Sequence, residues 1–206
     1  MKTSLNQLNI YHRLMGVIFG IFLSGFAMAC IYYANLGSDP ITTLIDGITS
    51  TFGFGEGLST TIVNITLLLF MLFFNRKNIQ VATLISVLFL GLFMDVSLLV
   101  LENSLSTNLP KFVYLSLTVL GSGILGISIG FYLSFDLGST PSDSVPLWIR
   151  DKFHIRYQFT VWIFYSFCLI IGVLLGGTFG FGTIVALIAV GPIADYTMRK
   201  LFFEPN

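Results

Sequence analysis

Two aspartates stand inside long apolar stretches of the chain. Asp95 and Asp195 are the only acidic or basic residues within six hydrophobic windows. A carboxylate in such a setting commonly binds a substrate or carries a proton. The other interpretation is structural, because a buried charge also needs hydrogen-bond donors. On that interpretation Asp95 contacts residues 37–43 and Asp195 contacts residues 138–144, where helix N-termini offer free N–H groups. Both interpretations stay open.

Other polar side chains that could bind a solute lie on two related turns and on two of the apolar windows. Each turn begins a short amphipathic segment, which Ser38 or Asp39 can cap and whose first turn Pro40 suits. If the start of the segment points into the protein, its N–H groups favour a small polar or anionic solute. If the segment lies flat, it is an interfacial connector. The candidate substrate-binding residues are Ser38, Asp39, Thr42, Thr61, Asn64, Ser139, Thr140, Asp143 and Tyr165.

Patterns that would indicate an enzyme are missing from the sequence. Cys30 and Cys168 each stand alone in an apolar window, and buried free cysteines usually act as small apolar residues. We find no nucleophile paired with a base and no ligand set at metal spacing. We therefore expect no catalytic residue, no metal, no cofactor and no enzymatic activity. The formal net charge of zero leaves no basic block for nucleic acid, so we expect none as a partner.

The composition is that of a membrane protein. Hydrophobic residues make up 55% of the 206 residues and charged residues 10%, and the mean hydropathy is +0.89. A soluble domain carries about 25% charged residues. We expect one transmembrane domain over residues 1–206, with a lipid bilayer as its surroundings.

Six apolar windows are long enough to cross that bilayer, which takes about 20 helical residues. Backbone groups in lipid must bond within their own segment, so each window is predicted to be a helix. The second and fifth windows are the shortest, and we expect them to cross near each other beside any solute path. The windows are residues 14–33, 58–74, 79–101, 112–135, 159–175 and 181–198.

Lysine and arginine indicate the orientation. With both termini in the cytoplasm, nine of the ten basic residues fall on the cytoplasmic side, and only Lys111 falls outside. Such an excess is typical of cytoplasmic loops. We therefore predict six crossings, with the N- and C-termini cytoplasmic.

The chain also repeats itself. The segment LGSDP at 36–40 returns as LGSTP at 137–141, 101 positions later. With a slip of one position, Thr83, Gly91 and Asp95 correspond to Thr183, Gly191 and Asp195. Two units of three crossings must point in opposite directions, as in many transporters. We predict an all-α membrane protein with six transmembrane helices in a 3+3 inverted repeat, residues 14–101 and 112–198, each half with a short interfacial or re-entrant helix after its first span.

These motifs resemble a known bacterial group. LGSTPSD at 137–143, GFGT at 180–183 and Gly191-Pro192 are similar to the LGxxPxD, GxGT and GP motifs of the YczE/YyaS/YitT family of integral membrane proteins. The resemblance covers nearly the whole chain and implies a multi-pass protein of the bacterial plasma membrane. Family members often carry an arginine before the aspartate, where this chain has Ser142.

Two functions fit the sequence. The first is a small-solute secondary transporter or channel-like protein, with a small molecule or ion as substrate. The alternative is a non-transporting accessory or substrate-capture subunit of a larger complex, so an oligomer or a partner subunit fits as well. A transporter needs a polar cavity that opens in turn to each side, whereas a capture subunit needs one pocket open to the outside.

Overall fold

The computed structural model describes residues 8–54, 56–74, 76, 79–105 and 109–201, with the main chain alone at residues 56, 57 and 61. Within these ranges the regular structure is helical and no strand occurs, which confirms the all-α prediction. The helices are α1 (Ile10–Ala34), α2 (Pro40–Phe52), α3 (Glu56–Phe74), α4 (Val81–Ser104), α5 (Lys111–Leu133), α6 (Pro141–Phe153), α7 (Tyr157–Leu174) and α8 (Phe181–Leu201).

Among the described helices, α1, α4, α5, α7 and α8 are long and apolar enough to cross a membrane. Large apolar side chains cover their outer surface, such as Phe19 and Leu88, which are 55% and 61% exposed. Water disfavours such a surface by about 25 cal/mol per Å², whereas lipid tails accept it. The chain is therefore a multi-pass membrane protein. The remaining predicted window coincides with α3, whose apolar part is Leu58–Phe74.

Small residues let the central helices approach closely. The antiparallel pair α1 and α5 meets at Ser24 and Ser128, whose hydroxyl oxygens lie 2.8 Å apart. Farther along, a Cβ on Gly121 would lie only 2.9 Å from Ile31. On its other side, α5 packs at Gly130 against α8. Close approach at small residues is how membrane helices commonly associate.

The bundle has two ends, which we call lower and upper. At the lower end α1 begins and α5 finishes, and the Arg13 Nη2 atom donates to the carbonyls of Phe135 at 2.6 Å and Asp136 at 2.8 Å. At the upper end α1 finishes and α8 begins, and the Gly182 N–H donates to the Leu36 carbonyl at 2.7 Å. Because α2 follows α1 and α6 follows α5, α2 starts from the upper end and α6 from the lower.

The two predicted short helices, α2 and α6, are confirmed. Asp39 caps α2, and its Oδ1 atom accepts from the N–H groups of Ile41 at 3.0 Å and Thr42 at 3.2 Å. Thr140 caps α6, and its hydroxyl accepts from the Asp143 N–H at 3.1 Å. Such caps satisfy N–H groups that have no partner within the helix.

Both short helices begin inside the protein and end at its surface. Thr43 and Ser144, in their first turns, are fully buried, whereas Phe52 and Phe153, at their last residues, are each 60% exposed. The N-termini of α2 and α6 are therefore the ends that can contribute to an internal site.

Candidate solute cavity

A cavity of about 570 Å³ lies between α3 and α4. Residues of α1 and α2 complete its walls, and the start of α6 reaches it from the lower end. Its volume lies within the range of about 300–1,000 Å³ that is usual for small-ligand pockets. The lining residues are Met28, Tyr32, Thr42, Ile45, Asp46, Thr60, Asn64, Ile65, Leu68, Ser86, Val87, Leu90, Gly91, Met94, Asp95, Thr140, Pro141 and Ser142.

A second recess, of about 940 Å³, lies at the upper end of the bundle. Its walls include Ser38, Glu102 and Tyr114. Tyr32 and Asp46 line both spaces, so the cavity and the recess adjoin at these two side chains.

The structure places some of the predicted site residues on the cavity wall and others behind it. Thr42, Asn64, Asp95 and Thr140 line the cavity, and Ser38 lines the recess. Asp39, Ser139 and Asp143 are buried at the turns, behind the wall. Tyr165 is buried in the apolar core, with 4% exposure. The side chain of Thr61 lies outside the described residues.

An aspartate and a threonine form a matched pair at the start of each short helix, with their positions exchanged. In α2 the cap is Asp39, and the Thr42 hydroxyl donates to its Oδ2 atom at 2.6 Å. In α6 the cap is Thr140, whose hydroxyl donates to the Oδ2 atom of Asp143 at 2.7 Å. Each helix N-terminus thus already holds a carboxylate of its own chain, which takes the place that an anionic solute would occupy.

Burial dominates the electrostatics of both carboxylates. Asp39 and Asp143 are each 5% exposed. Desolvation raises the pKa of Asp39, against hydrogen bonds from Thr42 and Ile41 that lower it. Desolvation likewise raises the pKa of Asp143, hydrogen bonds from Tyr132 and Thr140 lower it, and the charge of Asp39 raises it further. A carboxylate without a cation is costly in a low-dielectric site, so the neutral acid gains at both positions.

Backbone groups, together with Thr83 at the second turn, hold the two turns, and the aspartates do not. The Thr83 hydroxyl donates to the Ser139 carbonyl at 2.6 Å, and the Ala82 N–H donates to the Leu137 carbonyl at 2.9 Å. Asp195 instead forms an ion pair with Arg199, with Oδ2 and Nε 2.9 Å apart.

The predicted direct ties from Asp95 to residues 37–43 and from Asp195 to residues 138–144 are therefore wrong. In the described part of the chain no hydrogen bond joins either carboxylate to its turn. The physical reason is that the helix beside each turn is not the one that carries the predicted aspartate. The start of α8 holds the turn at 36–40, and the start of α4 holds the turn at 137–141.

Sequence reasoning missed several polar residues of the wall, among them Tyr32, Asp46, Ser86 and Ser142. Asp46 could have been found, because it follows Thr42 by four positions and so lies on the same face of α2. No signal in the sequence indicates Ser86, which enters the site only because α4 stands apart from α3.

The cavity wall is acidic. It carries the carboxylates of Asp46 and Asp95, and the described lining residues include no lysine, arginine or histidine. Asp46 accepts a hydrogen bond from the Thr178 hydroxyl. The remaining polar lining groups are hydroxyls and the amide of Asn64, so the wall offers mainly hydrogen-bond acceptors and negative charge.

The described residues contain no group of three or more His, Cys, Asp or Glu side chains that could hold a metal ion. Cys30 and Cys168 are both free and buried.

Comparison with known proteins agrees with the resemblance seen in the motifs. The chain is 25% identical over 181 residues to the uncharacterized protein YyaS of Bacillus subtilis (strain 168), covering 87% of this chain and 89% of that protein. It is 25% identical over 176 residues to the uncharacterized membrane protein YczE of the same organism, covering 80% and 75%. An uncharacterized protein of Haemophilus influenzae is 23% identical over 201 residues, covering 95% and 88%.

No solved structure matches the chain. Residues 11–199 match the model of a protein family of unknown function, DUF6198. The match spans nearly all of the described helices, including both turns and the cavity wall. The chain therefore belongs to the DUF6198 family, and the predicted relationship to YyaS and YczE is confirmed.

Proposed function

We propose that the protein is a small-solute secondary transporter rather than an enzyme, built as a 3+3 inverted repeat with α3 as the sixth spanning helix. Matched contacts between the halves support the repeat. The Thr83 hydroxyl accepts from the Gln80 N–H, and the Thr183 hydroxyl accepts from the Gly180 N–H, both at 3.2 Å. The turn after α1 is held by the start of α8, and the turn after α5 by the start of α4.

One observation carries the transport proposal: two corresponding glycines differ in their surroundings. Gly91 lines the cavity, and a Cβ added there would meet no described atom within 4 Å. A Cβ on Gly191 would lie 3.1 Å from the Gln158 carbonyl oxygen and 3.3 Å from the Val161 Cβ atom, because α8 packs on α7. One half is open and the other closed, as expected for one state of an alternating-access cycle.

The basic residues support an orientation with the lower end in the cytoplasm of a bacterial cell. Lys111 begins α5 at the upper end, whereas five other cations at helix ends lie at the lower end: Arg13, Arg150, Lys152, Arg199 and Lys200. Cytoplasmic flanks carry such an excess of cations. In this orientation the recess and the cavity face the outside of the plasma membrane.

The charge of the wall favours a cationic or neutral polar solute over an anionic one. Asp46 and Asp95 bring negative charge into a site whose described lining contains no base. A small organic cation would compensate this charge, and the face of Tyr32, at the junction with the recess, suits an ammonium group. An anion would meet repulsion from both carboxylates.

Flux into liposomes tests the proposal. The purified protein is reconstituted and supplied with labelled choline, guanidinium and putrescine, with lactate and acetate as anionic controls. We expect uptake of at least one cation and none of the anions. Gly91→Leu, which fills the cavity, should abolish this uptake. Gly123→Leu is the matched control, because a Cβ on Gly123 also meets no described atom within 4 Å and Gly123 lies off the cavity wall.

The alternative, a substrate-capture subunit, also has an observation in its favour, since one open cavity is sufficient for capture. It predicts that a cation of the panel stabilises the protein against thermal unfolding but does not enter liposomes. Stabilisation that Gly91→Leu removes, without flux in the wild type, would replace the transporter proposal by this one.

A further inference from the structure

Asp143 occupies an unusual place for a carboxylate. It is buried, and its Oδ2 atom accepts hydrogen bonds from the hydroxyls of Tyr132 and Thr140. Thr140 lines the cavity, so one hydroxyl group separates this carboxylate from the cavity. No lysine or arginine forms an ion pair with it among the described residues.

A second polar group near Asp143 lacks a partner. The hydroxyl of Tyr157, at the start of α7, is buried and has no hydrogen-bond partner among the described residues, and the residue is 1% exposed. Tyr157 belongs to the same core cluster as Tyr132. The charges of both Asp143 and Asp195 act on its hydroxyl. A buried hydroxyl of this kind normally binds water or a ligand.

We infer that Asp143 is a proton-binding site, which exchanges its proton with the cavity past Thr140 and with the lower end of the bundle past the Tyr157 hydroxyl. The inference deepens the proposed transport function and rests on it for the coupling role. It assigns that role to a residue of the turn rather than to Asp95 or Asp195.

The proton transfers balance without any other reactant. On loading, an O–H bond of hydronium in the cavity breaks as an O–H bond forms on the Asp143 carboxylate, and water remains. On release, that bond breaks and the proton passes through a bridging water to the Tyr157 oxygen. The original hydroxyl proton of Tyr157 moves on to water at the lower end. Both side chains end in the state in which they began.

The surroundings of Asp143 favour the neutral acid. Burial raises its pKa, and the charge of Asp39 acts in the same direction. The titratable groups around Asp143 come from three neighbouring elements: Tyr132 on α5, Tyr157 and Tyr165 on α7, and Asp39 at the start of α2. Two further charged groups, Arg150 on α6 and Asp195 on α8, act on Tyr157.

Infrared spectroscopy of the protein in lipid nanodiscs tests the site without any substrate. Asp39→Asn serves as the background, because Asp39 is the other carboxyl whose pKa burial raises. In this background we expect a carboxylic-acid carbonyl band that persists above the pH at which ordinary aspartates titrate. Adding Asp143→Asn should remove it. A band that survives Asp143→Asn, or no such band at all, would overturn the inference.

Two further variants keep the test decisive if Asp143→Asn does not fold. Tyr132→Phe removes a hydrogen bond that lowers the pKa of Asp143, so the midpoint of the band should move to higher pH. Tyr157→Phe keeps the ring but not the hydroxyl, so the band should remain and respond several-fold more slowly to a pH jump. An unchanged midpoint in the first variant and an unchanged rate in the second would each contradict the assignment.

A flux measurement separates this inference from the transport proposal. With choline as the probe, a wild-type protein that couples uptake to protons should accumulate it when a pH gradient is imposed. Asp143→Asn should lose accumulation but keep one-for-one choline exchange, because only net transport requires the proton to leave. Accumulation that survives in Asp143→Asn overturns the coupling role. If the wild type moves no cation of the panel, the transport proposal fails, and the infrared result alone decides the proton site.

Discussion

The two short helices lie against different surfaces, although they start from nearly the same motif. On α2, Gly47 packs directly on α7, where a Cβ on Gly47 would lie 2.4 Å from the carbonyl oxygen of Gly172. The position in α6 that corresponds to Gly47 in the repeat is Trp148. Its ring packs against Phe70 and Phe74 of α3, with centroids 5.8 and 5.5 Å apart.

This difference coincides with the open cavity on one side of the molecule. Gly47 of α2 and Gly172 of α7 face each other, so α2 packs closely on α7, and α7 in turn packs on α8. At the contact of α6 with α3 a tryptophan ring takes the place of the glycine, and the space between α3 and α4 is open. Two segments can therefore share a turn and a cap while side-chain volume at one contact gives them different packing.

The largest expected effect comes from removing the glycine contact. The position in α3 that corresponds to Gly172 in the sequence repeat is Met71. Gly172→Met therefore gives the end of α7 the same residue as α3. A Cβ on Gly172 would lie 2.7 Å from backbone atoms of Thr43 and Leu44, so α2 must move. We expect a loss of about 3 kcal/mol in unfolding free energy, at the upper end of the usual cost of overpacking.

Thermal and denaturant unfolding in detergent would measure this loss. Gly123→Met is the control, because the space beside Gly123 is open, and its stability should change by less than about 0.5 kcal/mol. Equal losses in the two variants would show that the close contact of α2 with α7 does not stabilise the fold.

A smaller effect is expected from the turn that α4 holds. Thr83→Val keeps the shape of the side chain but removes the hydroxyl that donates to the Ser139 carbonyl at 2.6 Å. Both residues are buried, so the carbonyl would lose this donor, at a cost of about 1–3 kcal/mol. Ser116→Ala is the matched control, since its exposed hydroxyl bonds only within its own helix. If both variants unfold alike, the tie contributes nothing.

The sequence predicted the local features of these halves better than their packing. The apolar windows predicted the spanning helices, and proline after Asp39 and Thr140 predicted the starts of α2 and α6, because both signals depend on neighbouring residues. The predicted contacts of Asp95 and Asp195 with the turns were wrong, because the depth of a residue in the membrane does not tell which helix packs beside a turn. The partner of each turn comes from the opposite half, and a sequence pattern carries no direct signal for that exchange.

The pH dependence of stability should distinguish the buried carboxylates from ordinary ones. Burial raises the pKa of Asp39 and Asp143 above the ordinary value of 3.8, so the folded protein holds protons that the unfolded chain has released. Stability should therefore fall as pH rises from 3.8 through the raised pKa values, by about 1.4 kcal/mol for each unit of difference.

Unfolding curves across pH would measure this slope. Asp143→Asn should flatten it and match the wild type only at low pH, and Asp39→Asn should do the same while keeping a good helix cap. The two variants compare the halves directly. A wild-type stability that rises over this range would contradict the neutral state of both carboxyls.

The smallest effect should come from the aspartates inside the spanning helices, and it too differs between the halves. Asp195 pairs with Arg199 one helical turn away, and the arginine side chain is 53% exposed. The Asp195 side chain is only 12% exposed, but the solvent around the arginine keeps the contribution near the usual value for a pair at this spacing, about 0.3–0.5 kcal/mol. Arg199→Ala should therefore cost about that much at low salt and less at high salt, because salt screens the pair.

Asp95 lines the cavity, so Asp95→Asn should leave stability unchanged at either salt concentration and alter only cation uptake. A salt-dependent loss of stability in Asp95→Asn would mean that Asp95 has a structural partner and would end its assignment to the solute path.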